Sequence, residues 1–184
     1  MHSGNISIIG KPNVGKSTLM NALVGKELSI ITAKAQTTRH RILGIVNGED
    51  FQMVLSDTPG VIKPAYQMQS SMMNFVKEAL VDADVLIYMV TAEESELKDE
   101  KLFERIKKSK APLFILINKI DLSSQELVEK TVAHWQSVFP VAKVCPISAL
   151  TGFFIPELLN LLIELLPSSP PYFPKDQLTD KPER

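Results

Sequence analysis

The sequence of 184 residues lacks the marks of several classes of protein. Its single cysteine, Cys145, cannot form a disulfide within the chain and lies in an apolar stretch, which favours a buried, inert thiol. No apolar run reaches the roughly 18 residues of a membrane-spanning helix, and the densest one, residues 158–166, contains Asn160 and Glu164. The start of the chain has no basic segment typical of a signal peptide. We therefore expect a soluble, cytoplasmic protein.

The sequence also lacks an excess of either charge. It has 20 Lys and Arg residues and 21 Asp and Glu residues, so the formal net charge is −1. Overall charge therefore predicts neither a membrane nor a nucleic-acid partner, and we expect no DNA partner. A role on RNA would need a local basic patch or a further domain. The 45% of hydrophobic residues is typical of a globular domain, which at this length buries roughly 70% of its unfolded surface.

Apolar runs alternate with helical patterns along most of the chain. The runs predict six strands, over residues 5–10, 41–47, 51–56, 85–90, 112–117 and 143–147. The helical patterns cover residues 16–24, 71–81, 98–108, 124–138 and 156–166. Residues 26–39 show no clear period and predict an exposed loop. This alternation is typical of a doubly wound α/β fold with a mostly parallel, six-stranded sheet and helices on both faces.

The end of the chain differs in composition from the rest. Residues 167–184 are rich in proline and charge and have no apolar period, which predicts an extended arm or linker. We therefore expect a folded domain over residues 1–167 and a linker over residues 168–184.

Residues 10–17, GKPNVGKS, match the phosphate-binding pattern GxxxxGK[ST] between a predicted strand and a predicted helix. Glycines let backbone N–H groups converge on phosphate oxygens, and the start of the helix adds the positive end of its dipole. Lys16 would reach the β and γ phosphates, and the Ser17 hydroxyl would bind Mg²⁺. The alternative is a glycine-rich turn with a stray lysine. In this context the motif predicts a three-layer P-loop NTPase fold with nucleotide contacts from Asn13, Val14, Gly15, Lys16, Ser17 and Thr18.

Residues 57–60, DTPG, directly follow a predicted strand. Asp57 could hold Mg²⁺ through a water beside the phosphates, and the Gly60 amide could bond the γ-phosphate and sense its loss. Alone, this sequence is also a common turn. After a phosphate-binding loop, we favour the functional interpretation.

Residues 118–121, NKID, follow another apolar strand. The Asp121 carboxylate can accept from N1–H and the exocyclic amine of guanine, whereas adenine offers neither donor in that geometry. Asn118 would brace the loops and the Lys119 stem would cover the base. The alternative is the start of a helix, with Asp121 and Ser123 as caps.

Residues Ser148, Ala149 and Leu150 follow the last predicted strand. The Ala149 N–H could donate to guanine O6, which adenine lacks. Three residues carry little weight alone, but each of these loops follows the carboxyl end of a strand, where open α/β sheets bind ligands. Together the motifs predict a site for GTP and GDP.

In this order, the motifs resemble those of the translation-factor-related GTPases. Residues 33–41, AKAQTTRHR, and residues 172–180, YFPKDQLTD, narrow the resemblance to the bacterial Era type in the TrmE-Era-EngA-like GTPase family. The resemblance implies hydrolysis of GTP to GDP and phosphate, with Mg²⁺ bound by Ser17, Thr38 and Asp57. It implies that catalysis involves Lys16, Thr38 and Gly60. Thr37 is the alternative to Thr38.

The resemblance also implies partners. Era-type GTPases assist maturation of the small (30S) ribosomal subunit by binding its rRNA through a KH domain with a GXXG loop, and peripheral membrane association is a further expectation. No GXXG occurs in this sequence, which stops at Arg184. We therefore expect a GTPase domain and linker without the KH domain.

The residue after Gly60 predicts slow turnover. Ras-type GTPases carry a water-orienting glutamine there, whereas Val61 cannot hydrogen-bond water. In some related GTPases an asparagine at the position of Asn13 helps to hold K⁺, so hydrolysis could depend on K⁺. Two alternatives to a GTPase switch stay open: a nucleotide-gated binding module with incidental hydrolysis, and another P-loop NTPase.

Overall fold

The computed structural model describes residues 1–11, 13–24, 29–31, 41–57, 82–94 and 100–173. The strands in these ranges are β1 (His2–Gly10), β2 (Ser29–Ile31), β3 (Arg41–Asn47), β4 (Phe51–Asp57), β5 (Val85–Thr91), β6 (Leu113–Asn118) and β7 (Lys143–Pro146). The α-helices in the same ranges are α1 (Lys16–Val24), α2 (Glu100–Lys108), α3 (Gln125–Val138) and α4 (Ile155–Leu165). The helix predicted over residues 71–81 lies outside the described residues.

The seven strands form a sheet in the order β2-β3-β4-β1-β5-β6-β7. β1 pairs in parallel with β4 and β5, and β6 pairs in parallel with β5 and β7. β3 runs antiparallel to β4, as expected for two strands joined by a tight turn. The α/β fold with a mostly parallel sheet, predicted from the alternation of strands and helices, is confirmed.

The strand count differs from the predicted six because β2 adds a seventh strand at the sheet edge. It lies inside residues 26–39, which the sequence predicts as an exposed loop. Ser29 pairs with Asn47 and Ile31 with Ile45 of β3. Three residues are too few to show the alternation typical of a strand. Pairing with β3 makes this segment a strand, although its own sequence carries no signal for one.

The apolar core lies on both faces of the sheet, because neighbouring strand residues point to opposite sides. In β5, for example, Ile87 belongs to the cluster beneath α1 and α4, whereas Leu86 and Tyr88 belong to the cluster beneath α2 and α3. β5 and β6 are buried on both faces, as their continuous apolar sequences predict. Helices thus cover both faces and complete three layers.

The single tryptophan and the single cysteine are both core residues. Trp135 is 1% exposed and packs edge-on against Tyr88, with ring centroids 5.5 Å apart. Burial and the nearby Glu94 carboxylate raise the pKa of Tyr88. Cys145 is also buried, and burial raises the pKa of its thiol against the opposing effect of Lys143. In the part of the chain that the structure describes, no helix is long and apolar enough to cross a membrane.

Candidate nucleotide-binding site

The predicted site residues meet at the carboxyl edge of the parallel strands. Gly10 ends β1, Asp57 ends β4 and Asn118 ends β6, while Ser148 follows β7. This is the edge at which open α/β sheets bind their ligands. Thr38 and Gly60, together with their neighbours Thr37 and Val61, lie outside the described residues.

The phosphate-binding loop is a tight turn between β1 and α1. Asn13 and Gly15 both have positive φ, 66° and 108°, and Val14 N donates to Lys11 O at 3.3 Å. A Cβ on Gly15 would collide with the Asn118 side-chain nitrogen, so the turn needs glycine for space as well as for conformation. Leu19 N donates to Gly15 O at 2.9 Å, which starts α1 directly after the turn.

Lys16 joins this loop to the end of β4. Its Nζ donates to Gly10 O at 3.0 Å and forms an ion pair with Asp57 Oδ1 at 2.8 Å. The two side chains are only 11% and 10% exposed. The sequence motifs predict that Lys16 contacts phosphates and Asp57 holds Mg²⁺, whereas the structure pairs the two side chains with each other. The reason is electrostatic, because a charge with little access to water is costly unless an opposite charge pairs with it.

Asn118 holds two of the loops together from a buried position, 2% exposed. Its Nδ2 donates to Val14 O at 2.9 Å, and its Oδ1 accepts from Ala149 N at 3.0 Å. These are the bracing contacts predicted for Asn118. They also engage the Ala149 N–H that is predicted to donate to guanine O6, because the buried amide oxygen of Asn118 needs a donor.

Lys119 and Asp121 extend the same connection. Lys119 has a positive φ of 62°, and its Nζ donates to Asn13 O at 2.7 Å, so its stem spans the space between the two loops. Asp121 lies in a short 3₁₀ turn and is exposed, and its Oδ1 accepts from Ser148 Oγ at 2.8 Å. The alternative of helix caps at Asp121 and Ser123 is wrong, since Ser124 caps α3 by accepting from Leu127 N.

The remaining predicted residues lie at the rim of the same edge. Ser17 and Thr18 are exposed in the first turn of α1, and Leu150 is 79% exposed. In the ranges that the structure describes, no group of three or more His, Cys, Asp and Glu side chains could hold a metal ion. Ser17 and Asp57 nevertheless supply hydroxyl and carboxylate oxygens, the donors that fit Mg²⁺, which keeps several waters and phosphate oxygens in its shell.

The loop that follows β5 makes further contacts at this edge, which no sequence motif predicts. Lys11 Nζ lies 3.5 Å from Glu94 Oε2, beyond the end of β5. Trp135 Nε1 donates to Glu94 O at 3.1 Å and Thr131 Oγ1 to Ala92 O at 2.7 Å, which ties this loop to α3. The sequence feature that could have pointed to Glu94 is its position shortly after a buried strand, where the other loops of the site also begin.

A cavity of about 450 Å³ lies elsewhere, where α2 and α3 end and β6 begins. Ile106, Pro112 and Phe139 line it together with Lys107 and Lys110. It opens near the amino end of β6, opposite the converging loops. It is therefore separate from the candidate nucleotide site.

Comparison with known proteins supports the assignment of a nucleotide site to the carboxyl edge of the sheet. A family model described as 50S ribosome-binding GTPase matches residues 5–119. Era from Clostridium kluyveri is 40% identical over 183 residues, which cover 99% of this chain and 62% of that protein. The chain therefore spans less than two thirds of the length of this curated relative.

Two solved structures of Era are 39% identical in sequence to this chain. The match covers 99% of this chain and 63% of the Era chain in each structure. One is a variant of Aquifex aeolicus Era bound to GDP and AlF₄⁻, with a TM-score of 0.78. The other is Era in complex with MgGDPNP and nucleotides 1506–1542 of 16S ribosomal RNA, with a TM-score of 0.79. The resemblance to the Era type is confirmed, and since the family model matches more than half of the chain, the chain belongs to the family of 50S ribosome-binding GTPases.

Proposed function

We propose that this chain binds GTP and GDP and hydrolyses GTP to GDP and phosphate, as the GTPase domain of an Era-type switch. The observation that carries the proposal is the joining of two loops by one buried side chain at the end of β6. Asn118 connects the phosphate-binding loop, through Val14, to the loop of Ala149. A phosphate-binding turn and a base-reading loop are thereby held in one rigid unit.

Selectivity for guanine rests on Asp121. Its carboxylate is exposed, so it can reach a ligand, and the Ser148 hydroxyl fixes one of its oxygens. Ser148 Oγ in turn accepts from Thr151 N at 3.2 Å, which orients the hydroxyl. A carboxylate held this way pairs with N1–H and the exocyclic amine of guanine, whereas adenine would leave it unpaired.

The phosphate end combines Lys16 and the start of α1. The ammonium of Lys16 and the free N–H groups of the first helical turn attract phosphate oxygens. Ser17 and Asp57 would hold Mg²⁺, which neutralises charge on the β and γ phosphates when it is bound. Thr38 as a further Mg²⁺ ligand and Gly60 as the γ-phosphate sensor stay predictions from the resemblance.

The proposed biological role is assembly of the small ribosomal subunit. Era binds a segment of 16S rRNA in a solved complex, and 16S rRNA belongs to the small subunit. An RNA contact through a KH domain stays a prediction from the resemblance. Cytoplasmic location and peripheral membrane association stay predictions.

Val61 favours one alternative, a nucleotide-gated binding module in which hydrolysis is incidental. Its side chain has no group that could orient a water molecule. Single-turnover hydrolysis measured with and without small ribosomal subunits separates the two functions. Acceleration by the subunits supports a GTPase switch, and an unchanged slow rate supports the module.

Calorimetric titration with GDP and ADP tests the nucleotide assignment. We expect GDP to bind at least about 100-fold more tightly than ADP, because adenine leaves the Asp121 carboxylate without the two donors that guanine offers. Asp121→Asn should shift preference from guanine to xanthine nucleotides, whereas Asp50→Asn, an exposed aspartate in the β3–β4 turn, should bind GDP normally. Equal affinity of the native protein for GDP and ADP would overturn the proposal.

A further inference from the structure

The start of β1 extends beyond its neighbour β5. The pairing of these strands begins at Ile6, so the N–H groups of Ser3 and Asn5, which face the β5 side, need other acceptors. Asn5 N donates to Asp84 Oδ2 at 2.8 Å, and Ser3 N donates to Pro167 O at 3.1 Å. Pro167 thus lies against the open edge of β1 at the sheet end opposite the nucleotide site, and it begins a segment, residues 167–173, that we call the strap.

A row of buried polar side chains crosses the sheet beside the strap. Ser3 of β1 and Asn47 of β3 both pair with Gln52 of β4, so the three side chains share one face. Ser3 and Gln52 are 0% exposed and Asn47 is 8% exposed. Polar groups buried in this way cost free energy unless they are hydrogen-bonded.

Gln52 binds the strap with both the oxygen and the nitrogen of its side-chain amide. Its Oε1 accepts from Phe173 N at 3.1 Å, and its Nε2 donates to Phe173 O at 3.0 Å and to Asn47 Oδ1 at 2.9 Å. Two bonds to one residue reproduce the exchange between hydrogen-bonded partners of an antiparallel pair. The side chain of Gln52 therefore acts as a one-residue strand edge.

The row has more hydrogen-bonding capacity than the sheet uses. In the parts of the chain that the structure describes, Ser3 Oγ and Asn47 Nδ2 are buried atoms without a hydrogen-bond partner. Ser3 and Asn47 are the register partners of Gln52 on the two neighbouring strands, so they flank it on either side. Buried donors and acceptors of this kind mark a place built to receive further polar groups.

We propose that Ser3, Gln52 and Asn47 form a receptor for peptide backbone whose occupant is the strap of this chain, with Phe173 as the residue it holds. The receptor fixes the point from which the chain leaves the domain. Gln52 is the second residue of β4 and contacts the strap, and Asp57 ends the same strand at the nucleotide site. The exit point is therefore held on the strand that also carries a proposed Mg²⁺ ligand.

Hydrogen exchange of residues 167–173 in the full chain, followed by mass spectrometry, tests this proposal with Gln52→Met. Met keeps the length of the side chain and removes both bonds to Phe173, so the strap should exchange about tenfold faster or more. The matched control is Gln136→Met, because Gln136 Nε2 also binds backbone oxygens, those of Phe139, Pro140 and Ala142. That control should leave exchange of the strap unchanged. An unchanged strap in Gln52→Met would overturn the proposal.

A second pair of variants acts from the strap itself and leaves the core intact. Phe173→Pro removes the N–H that Gln52 Oε1 accepts, whereas Phe173→Ala keeps the N–H and loses only the ring. We expect faster exchange of Ser168 and Ser169, the two residues of 167–171 that have an amide hydrogen, in the proline variant than in the alanine variant. Equal exchange in the two variants, or faster exchange throughout the sheet with no excess in the strap, would make Gln52 an ordinary core residue and overturn the receptor.

GDP affinity, measured on the same variants, separates this inference from the proposed function. The receptor and the nucleotide loops lie at opposite ends of the sheet, so the variants should bind GDP within about twofold of the native protein. Failure of the native protein to bind GDP would overturn the proposed function and leave the receptor standing. A loss of GDP binding confined to Gln52→Met and Phe173→Pro would contradict the independence of the two sites.

Discussion

Lys16 Nζ lies 2.8 Å from Asp57 Oδ1, and this ion pair links the phosphate-binding loop to the end of β4. Each side chain is about nine-tenths buried, at 11% and 10% exposure. The pair therefore contributes to the fold of the site as well as to its charge. An arriving phosphate would meet an ammonium already positioned by Gly10 O, which accepts from the same nitrogen at 3.0 Å.

Replacing Lys16 by Met should lower both stability and nucleotide affinity. Removing one partner leaves the Asp57 carboxylate buried and unpaired, which costs about 3 kcal/mol or more of unfolding free energy. Affinity for GDP should fall by about 100-fold, since a charge-assisted contact to phosphate is lost. Urea unfolding and calorimetry measure the two effects.

Lys130→Met is the matched control for this substitution. Lys130 and Glu126 also form an ion pair, at 3.3 Å, but their side chains are 73% and 81% exposed. Water screens such a pair, so the control should change stability by no more than about 0.5 kcal/mol. Equal destabilisation by both lysine substitutions would show that burial of the Lys16–Asp57 pair is irrelevant.

Gly15→Ala should damage the site more than Gly152→Ala does. Both glycines have positive φ, 108° and 86°, so each substitution carries a backbone cost of about 1 kcal/mol. Only the Cβ at residue 15 collides with Asn118, whereas nothing lies within 4 Å of the Cβ at residue 152. We expect GDP affinity to fall at least about tenfold in Gly15→Ala and less than about threefold in Gly152→Ala. A comparable loss in both would assign the effect to φ alone.

The single tryptophan should report nucleotide binding although it is buried in the core. Trp135 Nε1 is bonded to Glu94 O, and the Glu94 carboxylate lies 3.5 Å from Lys11 in the phosphate-binding loop. Anionic phosphates compete with Glu94 for the ammonium of Lys11, so GDP should change the fluorescence of Trp135.

A lysine substitution tests this route to the tryptophan. In Lys11→Met, the fluorescence change at saturating GDP should fall to less than about half of the native value, because the ion pair with Glu94 is absent. Lys107→Met is the control, since Lys107 Nζ lies 5.6 Å from the centroid of the Phe103 ring and far from the loop. A full signal in Lys11→Met would show that nucleotide reaches Trp135 by another route.

The parts of the fold that could be predicted from sequence are those with strong local signals. β5 and β6 are continuous apolar runs, and the turn ending in Gly15 combines glycine spacing with a flanking strand and helix. The role of Asn118 as a brace was also predictable, because it follows a strand whose carboxyl end must lie beside the phosphate-binding loop. The first two inferences use residues that are neighbours in sequence, whereas the one on Asn118 uses the rule that parallel strands place their carboxyl ends at one edge of the sheet.

The parts that could not be predicted depend on distant partners. The Lys16–Asp57 pair joins residues 41 apart, and the Gln52–Phe173 contact joins residues 121 apart. β2 is a strand because it pairs with β3, while its own three residues carry no period. Lone polar residues such as Gln52 and Glu94 look like ordinary strand or loop residues until the neighbouring elements are in place.

Hydrolysis should be faster in KCl than in NaCl, and Asn13 should be the residue that makes the difference. Asn13 lies at the turn of the phosphate-binding loop, and its side chain is exposed there, while its backbone oxygen is bonded to Lys119 Nζ at 2.7 Å. Asn13→Ala should remove the dependence on K⁺.

Because φ of Asn13 is 66°, alanine also strains the backbone, so Asn13→Gly is needed to remove the side chain without strain. Both variants should hydrolyse GTP at equal rates in the two salts, whereas Asn160→Ala, an exposed asparagine on α4, should keep the native preference. Equal rates for the native protein in both salts would eliminate K⁺ as a participant, and a preference that survives in Asn13→Gly would assign the ion to other residues.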